Sequence, residues 1–240
     1  MKIIRIPLLI AFLSVILLGL SGLGVRAGWW PYPFGFTLLR WVVGCGVAAV
    51  VLALIGLATP KGRSVAWLSL VMSAVIGAAA AWTPWQMAQQ AKSLPRIHDI
   101  STDLDNPPAF VNVLALRIHA PNPATYGGAE VAAAQRSAYP DIAPLLLTLP
   151  RAEAFALALA EAKRMDWEII AQNPQQGRIE ATATTFWFGF KDDIVIRIVA
   201  VDGKSRIDMR SVSRVGKSDV GKNAQRIRSY LGALMQSAKA

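Results

Sequence analysis

Cysteine and histidine are almost missing: Cys45 is the single cysteine, and His98 and His119 the two histidines, in 240 residues. One cysteine excludes an internal disulfide, a thiolate metal site and a Cys-x-x-Cys redox pair. Lying in an apolar run, it reads as a small packing residue. Charge is scarce too, at 17% of residues against roughly 25% in soluble domains. Acidic residues are absent from Met1 to Trp85, where Lys2, Arg5, Arg26, Arg40, Lys61 and Arg63 carry all the charge. All fifteen acidic residues and the other nineteen basic ones lie beyond Trp85. That imbalance excludes a single soluble domain, and 54% hydrophobic residues exclude disorder over most of the chain. No GxSxG elbow or HExxH helix occurs, and His119 stands alone on an extended stretch. Arg214-Val215-Gly216-Lys217-Ser218-Asp219 lacks the earlier glycine of a phosphate loop and follows a hairpin instead of a crossover strand. No metal site and no cofactor are expected.

What the front half has is apolar length. Ile6–Leu23, Trp41–Thr59 and Val65–Trp82 contain no charged residue. As helices each spans about 27–28 Å, close to the roughly 30 Å hydrocarbon core of a bilayer. Three transmembrane helices are therefore expected, forming a membrane anchor over residues 1–85 with the lipid bilayer as its partner. Lys2 and Arg5 before the first span, with Lys61 and Arg63 in the Pro60–Ser64 link, favour a cytoplasmic N-terminus. Three crossings of a bacterial inner membrane then leave the rest of the chain in the periplasm. Trp29, Trp30, Tyr32, Phe34 and Phe36 in the Gly24–Arg40 link, and Trp82 and Trp85, suit the membrane–water boundary at the outer face. Arg26 and Arg40 oppose the scheme but sit at span ends, where they can snorkel. A basic start and Val25-Arg26-Ala27 also fit a cleaved signal peptide, although the first apolar run exceeds the usual stretch of about 7–15 residues. No charge lies mid-span to mark an ion path. Gly44, Gly46, Ala48 and Ala49, with Gly77–Ala81, would let helices approach closely. The net charge of +10 is thus largely a matter of topology, and nucleic acid is not an expected partner.

Residues 86–149 are polar, with eight of the fourteen prolines between Pro95 and Pro150. Proline breaks helical ladders, so this stretch is expected to wrap extended over a folded core, with one short helix near Glu130–Ser137. Residues 150–240 are sharper. Ala152, Phe155, Ala156, Leu159, Ala162 and Met165 recur at helical spacing. Four strand signals follow at Trp167–Ala171, Arg178–Phe190, Asp193–Val201 and Ser205–Arg214, with turns at Pro174–Gly177, Lys191–Asp192 and Asp202-Gly203. A helix from about Asp219 closes the chain, with Ser218 or Asp219 as its N-cap and Val220, Ile227, Leu231 and Leu234 as its buried stripe. The predicted fold class is a three-helix membrane anchor plus an α+β domain, a four-stranded antiparallel meander flanked by two helices.

Three strings carry a likeness to a known family: His98-Asp99-Ile100-Ser101-Thr102-Asp103 followed by Pro107-Pro108; Tyr139-Pro140-Asp141-Ile142 with Pro144-Leu145; and the run from Ile179 through Phe186-Trp187-Phe188-Gly189-Phe190 and Asp192-Asp193-Ile194-Val195-Ile196-Arg197 to Arg210-Ser211-Val212-Ser213-Arg214 and Ser218-Asp219. Together they resemble the bacterial domain-of-unknown-function family DUF1499 over roughly Leu94–Met235, with Ser101 where threonine would be expected. The resemblance supplies no reaction.

Three groups are candidate sites. His98, Asp99, Asp103 and Asp105 could form a weak metal or acid–base site, against the ordinary alternative of a loop whose aspartates cap turns. Glu180, Arg197, Asp208, Arg210 and Arg214, with Arg206 nearby, share one sheet face. They are either a cross-strand charge ladder or a cationic groove for an anion. Phe186, Phe188 and Phe190 alternate with Trp187, so one set packs in the core while the other could form an exposed patch. The favoured function is a non-catalytic, membrane-tethered periplasmic module that binds a partner protein or envelope component. The alternatives are an envelope hydrolase using His98 or Asp99 with the arginines, and a subunit of a transport or assembly complex.

Overall fold

A computed structural model describes residues 2–239, with side chains from Arg5 onward. The side chain of Lys2, one of the charges expected before the first span, lies outside the described residues. The chain divides into two compact units, Met1–Ser93 with Phe186–Gly189, and Leu94–Thr185 with Phe190–Ala240.

The first unit is helical: α1 (Lys2–Arg26), α2 (Tyr32–Ala58), the short α3 (Pro60–Val65) and α4 (Trp67–Ser93). Arg5–Arg26, Tyr32–Ala58 and Trp67–Ser93 are long and apolar enough to cross a membrane. Large side chains such as Leu9, Ile16, Trp41, Ile55 and Val75 point outward from the bundle, as lipid-facing residues do. The helices touch through small residues: a Cβ added at Gly46 would stand 2.5 Å from the Gly77 carbonyl oxygen, and one added at Gly77 would stand 2.7 Å from the Gly46 oxygen. All three long helices outrun their expected bounds, α1 at both ends. Helix α2 begins nine residues early because Pro31 serves as N-cap and Pro33 falls in the first turn, where a missing N–H costs nothing. The link is therefore five residues long, and Tyr32, Phe34 and Phe36 are helical. Helix α4 continues past Pro84 to Ser93, because Gln86–Lys92 contains good helix formers. The Pro60–Ser64 link is itself a helical turn, capped by Thr59 Oγ1, which accepts from the Gly62 N–H at 3.0 Å.

The second unit holds an antiparallel sheet in the order β1-β6-β5-β4-β3, with β2 also paired to β6. The strands are β1 (Asp99–Ser101), β2 (Leu145–Leu147), β3 (Glu168–Asn173), β4 (Arg178–Thr184), β5 (Lys191–Val201) and β6 (Lys204–Ser213). This corrects the expected four strands to six. The two additions are three residues each, too short to show an alternating pattern, and both lie in the proline-rich stretch. They share one edge of β6, β1 against Arg210–Val212 and β2 against Ser205–Ile207. Asp202 and Gly203 both take positive φ, 48° and 72°, as a two-residue hairpin turn requires.

Three helices accompany the sheet: α5 (Gly128–Ala138), α6 (Arg151–Arg164) and α7 (Lys222–Ser237). Their apolar residues, including Phe155, Ala158, Ile227 and Leu234, join Ile179, Ile194, Ile196, Ile207 and Met209 in the main core. Tyr230 is fully buried there and donates its hydroxyl to the Ala158 carbonyl at 2.7 Å. Helix α7 starts later than expected, after Gly221 at φ 77°. Asp219 still satisfies its start from outside the helix, accepting the N–H groups of Gly221 and Asn223 at 2.9 and 2.8 Å. Val220 therefore lies before the helix, at φ 53°.

Candidate functional site

Side chains alternate across a sheet, so the residues of β4, β5 and β6 that do not face α6 and α7 form a second face. Glu180, Thr182, Asp193, Val195, Arg197, Asp208, Arg210, Val212 and Arg214 all project from it. This face is not open to solvent. The segment from Thr102 to Tyr126, including a 3-10 turn at Val113–Arg117, lies across it. Phe110 and Val113 of that segment pack with Val195 and Val212 in a small second core.

Beneath this cover the charges pair. Arg210 donates from Nε and Nη2 to the two oxygens of Asp99 at 2.9 and 2.7 Å. Its guanidinium lies over the rings of Phe110 and Tyr126, 5.1 and 5.4 Å from their centroids, and also donates to the Ala124 carbonyl at 2.7 Å. Glu180 accepts the backbone N–H groups of Val111 and Val113 at 3.1 and 2.9 Å and pairs with Arg178 at 3.0 Å. Asp193, fully buried, receives Arg117 Nη1 at 2.5 Å, Arg214 at 2.9 and 2.8 Å and the Thr182 hydroxyl at 2.7 Å. Burial alone would push the Asp193 carboxyl up, but the hydrogen bonds from Arg214, Thr182 and Arg117 outweigh it and hold the group below its ordinary range. Arg197 and Arg206 each bridge Asp103 and Asp208, with N–O distances of 2.8–3.0 Å. Burial likewise opposes ionisation of Asp103, and the N–H of Asn106, Arg206, the N–H of Asp105 and Arg197 together hold its carboxyl low.

The arginines Arg197, Arg210 and Arg214 are thus already bound to carboxylates, and Glu180 and Asp208 are engaged as well. A guanidinium fork recognises an anion through donors that the anion can reach; here those donors tie the cover to the sheet. The ladder is largely buried because a segment without periodicity closes over it.

The four residues of the loop group part company. Asp99 lies under the cover on Arg210, and Asp103 joins the Arg197–Arg206–Asp208 ring. Asp105 is on the surface beside Arg136 at 3.0 Å. His98 offers its backbone carbonyl to Ser213 N–H and Asn223 Nδ2, at 3.0 and 2.9 Å. Among the described residues no group of three His, Cys, Asp or Glu side chains is arranged to hold a metal ion.

The aromatic string is not a strand end. Strand β4 stops at Thr184, and Thr185 and Phe190 close a loop through Thr185 N–H to Phe190 O and Phe190 N–H to Thr185 Oγ1, both 2.8 Å. Lys191 and Asp192, expected as a turn, begin β5 instead. Phe186–Gly189 belong to the helical unit. There Phe188 is buried, its ring 5.4 Å from that of Phe36. Phe186 is 85% exposed, and its carbonyl accepts from Arg26 Nη1 at 2.6 Å. Gly189 at φ 67° makes the turn that extended alternation could not predict.

Asp193 lies outside the candidate groups, and so do three residues on other elements. Arg117 is a lone charge inside Val113–Ile118, and that isolation is its only signal. Gln135 on α5 pairs with the backbone of β1, its Oε1 accepting Ser101 N–H at 3.0 Å and its Nε2 donating to Ser101 O at 2.6 Å. Arg226 on α7 binds Asp192 at 2.6 Å and also Asn223.

Residues 99–234 match the sequence profile of a family described as a protein of unknown function, DUF1499. The chain belongs to the DUF1499 family. No curated protein matches it. The DUF1499 match starts at the first residue of β1 and ends at Leu234 in α7, so it takes in the whole sheet, the cover and every ion pair described above. The three long apolar helices precede it.

Proposed function

We propose that this DUF1499 protein is a membrane-anchored module that presents its α+β unit in the periplasm and binds an envelope component there without catalysing a reaction. The condition of the charged face carries this reading. A catalytic set needs acid, base and charge-stabilising groups converging on a site that substrate can enter. Here Asp99, Asp193, Arg210 and Arg214 are spent on one another beneath a packed segment, while Asp105 stands apart on the surface. The placement is supported by basic residues at the N-terminus and in the Pro60–Val65 turn, which favour the cytoplasmic side, and by the odd number of candidate spans.

A cysteine at the Asp202 turn, in a Cys45→Ala background, tests the placement. A membrane-impermeant thiol reagent is expected to label it in intact spheroplasts; labelling only after lysis would overturn the periplasmic assignment. Recovery of the detergent-solubilised protein with no lipid or protein above background would overturn the binding role.

A further inference from the structure

One end of the sheet has a composition that the ion-pair network does not use. Backbone hydrogen bonds gather four stretches there. Asp219 N–H donates to Ile97 O at 3.3 Å, Arg214 N–H to Lys191 O at 3.0 Å and Asn122 N–H to Arg214 O at 3.1 Å. Asn122 Nδ2 adds a bond to Gly216 O at 2.8 Å. This end therefore brings together the residues around Arg96, Lys191, Lys217 and Ile118.

Two kinds of exposed side chain are prominent there, besides His119. Arg96, Lys191 and Lys217 are exposed basic residues. Leu116 and Ile118 are exposed apolar ones, Ile118 by 76%. Of the nearby carboxylates, Asp99 turns to Arg210, Asp192 to Arg226, Asp193 to Arg117 and Arg214, and Asp219 to the amides that begin α7, while Asp166 and Glu168 are exposed at the start of β3, on the far side of β4 from Lys191. Away from the β3 edge, the surface around Arg96, Lys191 and Lys217 is cationic with apolar side chains standing proud. Interfacial membrane binding combines those two features, basic residues for anionic headgroups and bulky apolar ones for the acyl boundary.

Connectivity points to the same occupant. The chain enters this end at Leu94 from α4, whose last turns, Gln86–Ser93, are polar and follow an apolar stretch, and it leaves and rejoins the unit at Thr185 and Phe190 for the aromatic tip.

We infer that this end of the α+β unit is a docking surface for anionic phospholipid headgroups, with Arg96, Lys191 and Lys217 meeting phosphate and Leu116 and Ile118 entering the interface. This names the envelope component of the proposed function and rests on that reading.

The test uses the full-length chain with Cys45→Ala and a fluorophore on Ile118→Cys. It is reconstituted in phosphatidylcholine vesicles, with or without phosphatidylglycerol, that carry an acyl-chain nitroxide quencher. A second label on Asp202→Cys marks the far end of β5, roughly 30 Å away along the strand. Quenching at Ile118 several-fold stronger than at Asp202, and stronger with phosphatidylglycerol, is expected. Equal, weak quenching at both positions would overturn the docking, and quenching indifferent to phosphatidylglycerol would overturn the headgroup assignment. Neither result depends on which side of the cell membrane the unit occupies, so failure here is distinct from failure of the spheroplast labelling.

Discussion

Arg210 on β6 holds Asp99 on β1 through two parallel hydrogen bonds of 2.9 and 2.7 Å, both side chains almost wholly buried. The pair joins a three-residue edge strand to β6, one side of the longest ladder of the sheet. Because Arg210 also donates to the Ala124 carbonyl, one guanidinium secures both β1 and the cover.

Removing one partner of a buried pair leaves the other charged in a poor solvent and typically costs about 3–5 kcal/mol. Asp99→Ala is therefore expected to lower the unfolding midpoint sharply. Arg210→Lys is expected to be nearly as harmful, since an ammonium cannot match the fork or stack on Phe110 and Tyr126. Denaturant unfolding of the solubilised protein, with limited proteolysis of the Thr102–Tyr126 cover, measures both. Wild-type stability in Arg210→Lys would refute the argument.

Asp193 sets an acid limit. Its carboxyl is held below the ordinary range, so the unfolded chain takes up its proton first as pH falls. The stabilisation is complete above the unfolded value, about 3.9, and disappears as pH drops through the lower folded value. Asp219 runs the other way: burial raises its carboxyl despite the amides of Asn223 and Gly221 and the charge of Arg226, with Asp192 adding to the rise. Its contribution is complete below the unfolded value and weakens as pH rises through the folded one. Thermal midpoints measured from neutral pH down to about pH 3 should fall in the wild type and fall less steeply in Asp193→Asn, which starts lower because Arg117 and Arg214 lose their anion.

Gly46 and Gly77 allow α2 and α4 to meet backbone to backbone. Gly77→Leu forces a side chain toward the Gly46 oxygen and the Ala49 methyl, 2.7 and 3.1 Å from the Cβ position. Overpacking of this kind costs about 1–3 kcal/mol. The thermal midpoint of the detergent-solubilised protein is expected to fall, while Gly44→Leu, which meets open space, should leave it near the wild-type value.

The features legible from the chain were those with a period or a strong local rule. Charge-free length marked the three apolar helices, 3.6-residue spacing marked α6, and Asp202-Gly203 marked the β5–β6 turn. Strands β1 and β2 were hidden because three residues carry no measurable alternation. The aromatic tip misled because Phe and Trp favour strands, whereas Gly189 and the packing of Phe188 on Phe36 bend the chain away from β4. The candidate charges were recognised as sharing a face, but alternation gives no information about what lies above that face. Their burial depends on Phe110, Val113 and Arg117, scattered through a segment whose prolines suppress any regular pattern.

Strand β1 adds to β6 alone, Asp99 standing opposite Val212. During synthesis the earliest strand has nothing to zip against until the last one emerges. By then the long apolar helices have already been made, and a contact of such sequence separation forms slowly. Arg117 and Asp103 find partners on β5, in Asp193 and Arg197, but Asp99 pairs with Arg210 on β6, so a chain cut short before Arg210 leaves that carboxylate without its guanidinium.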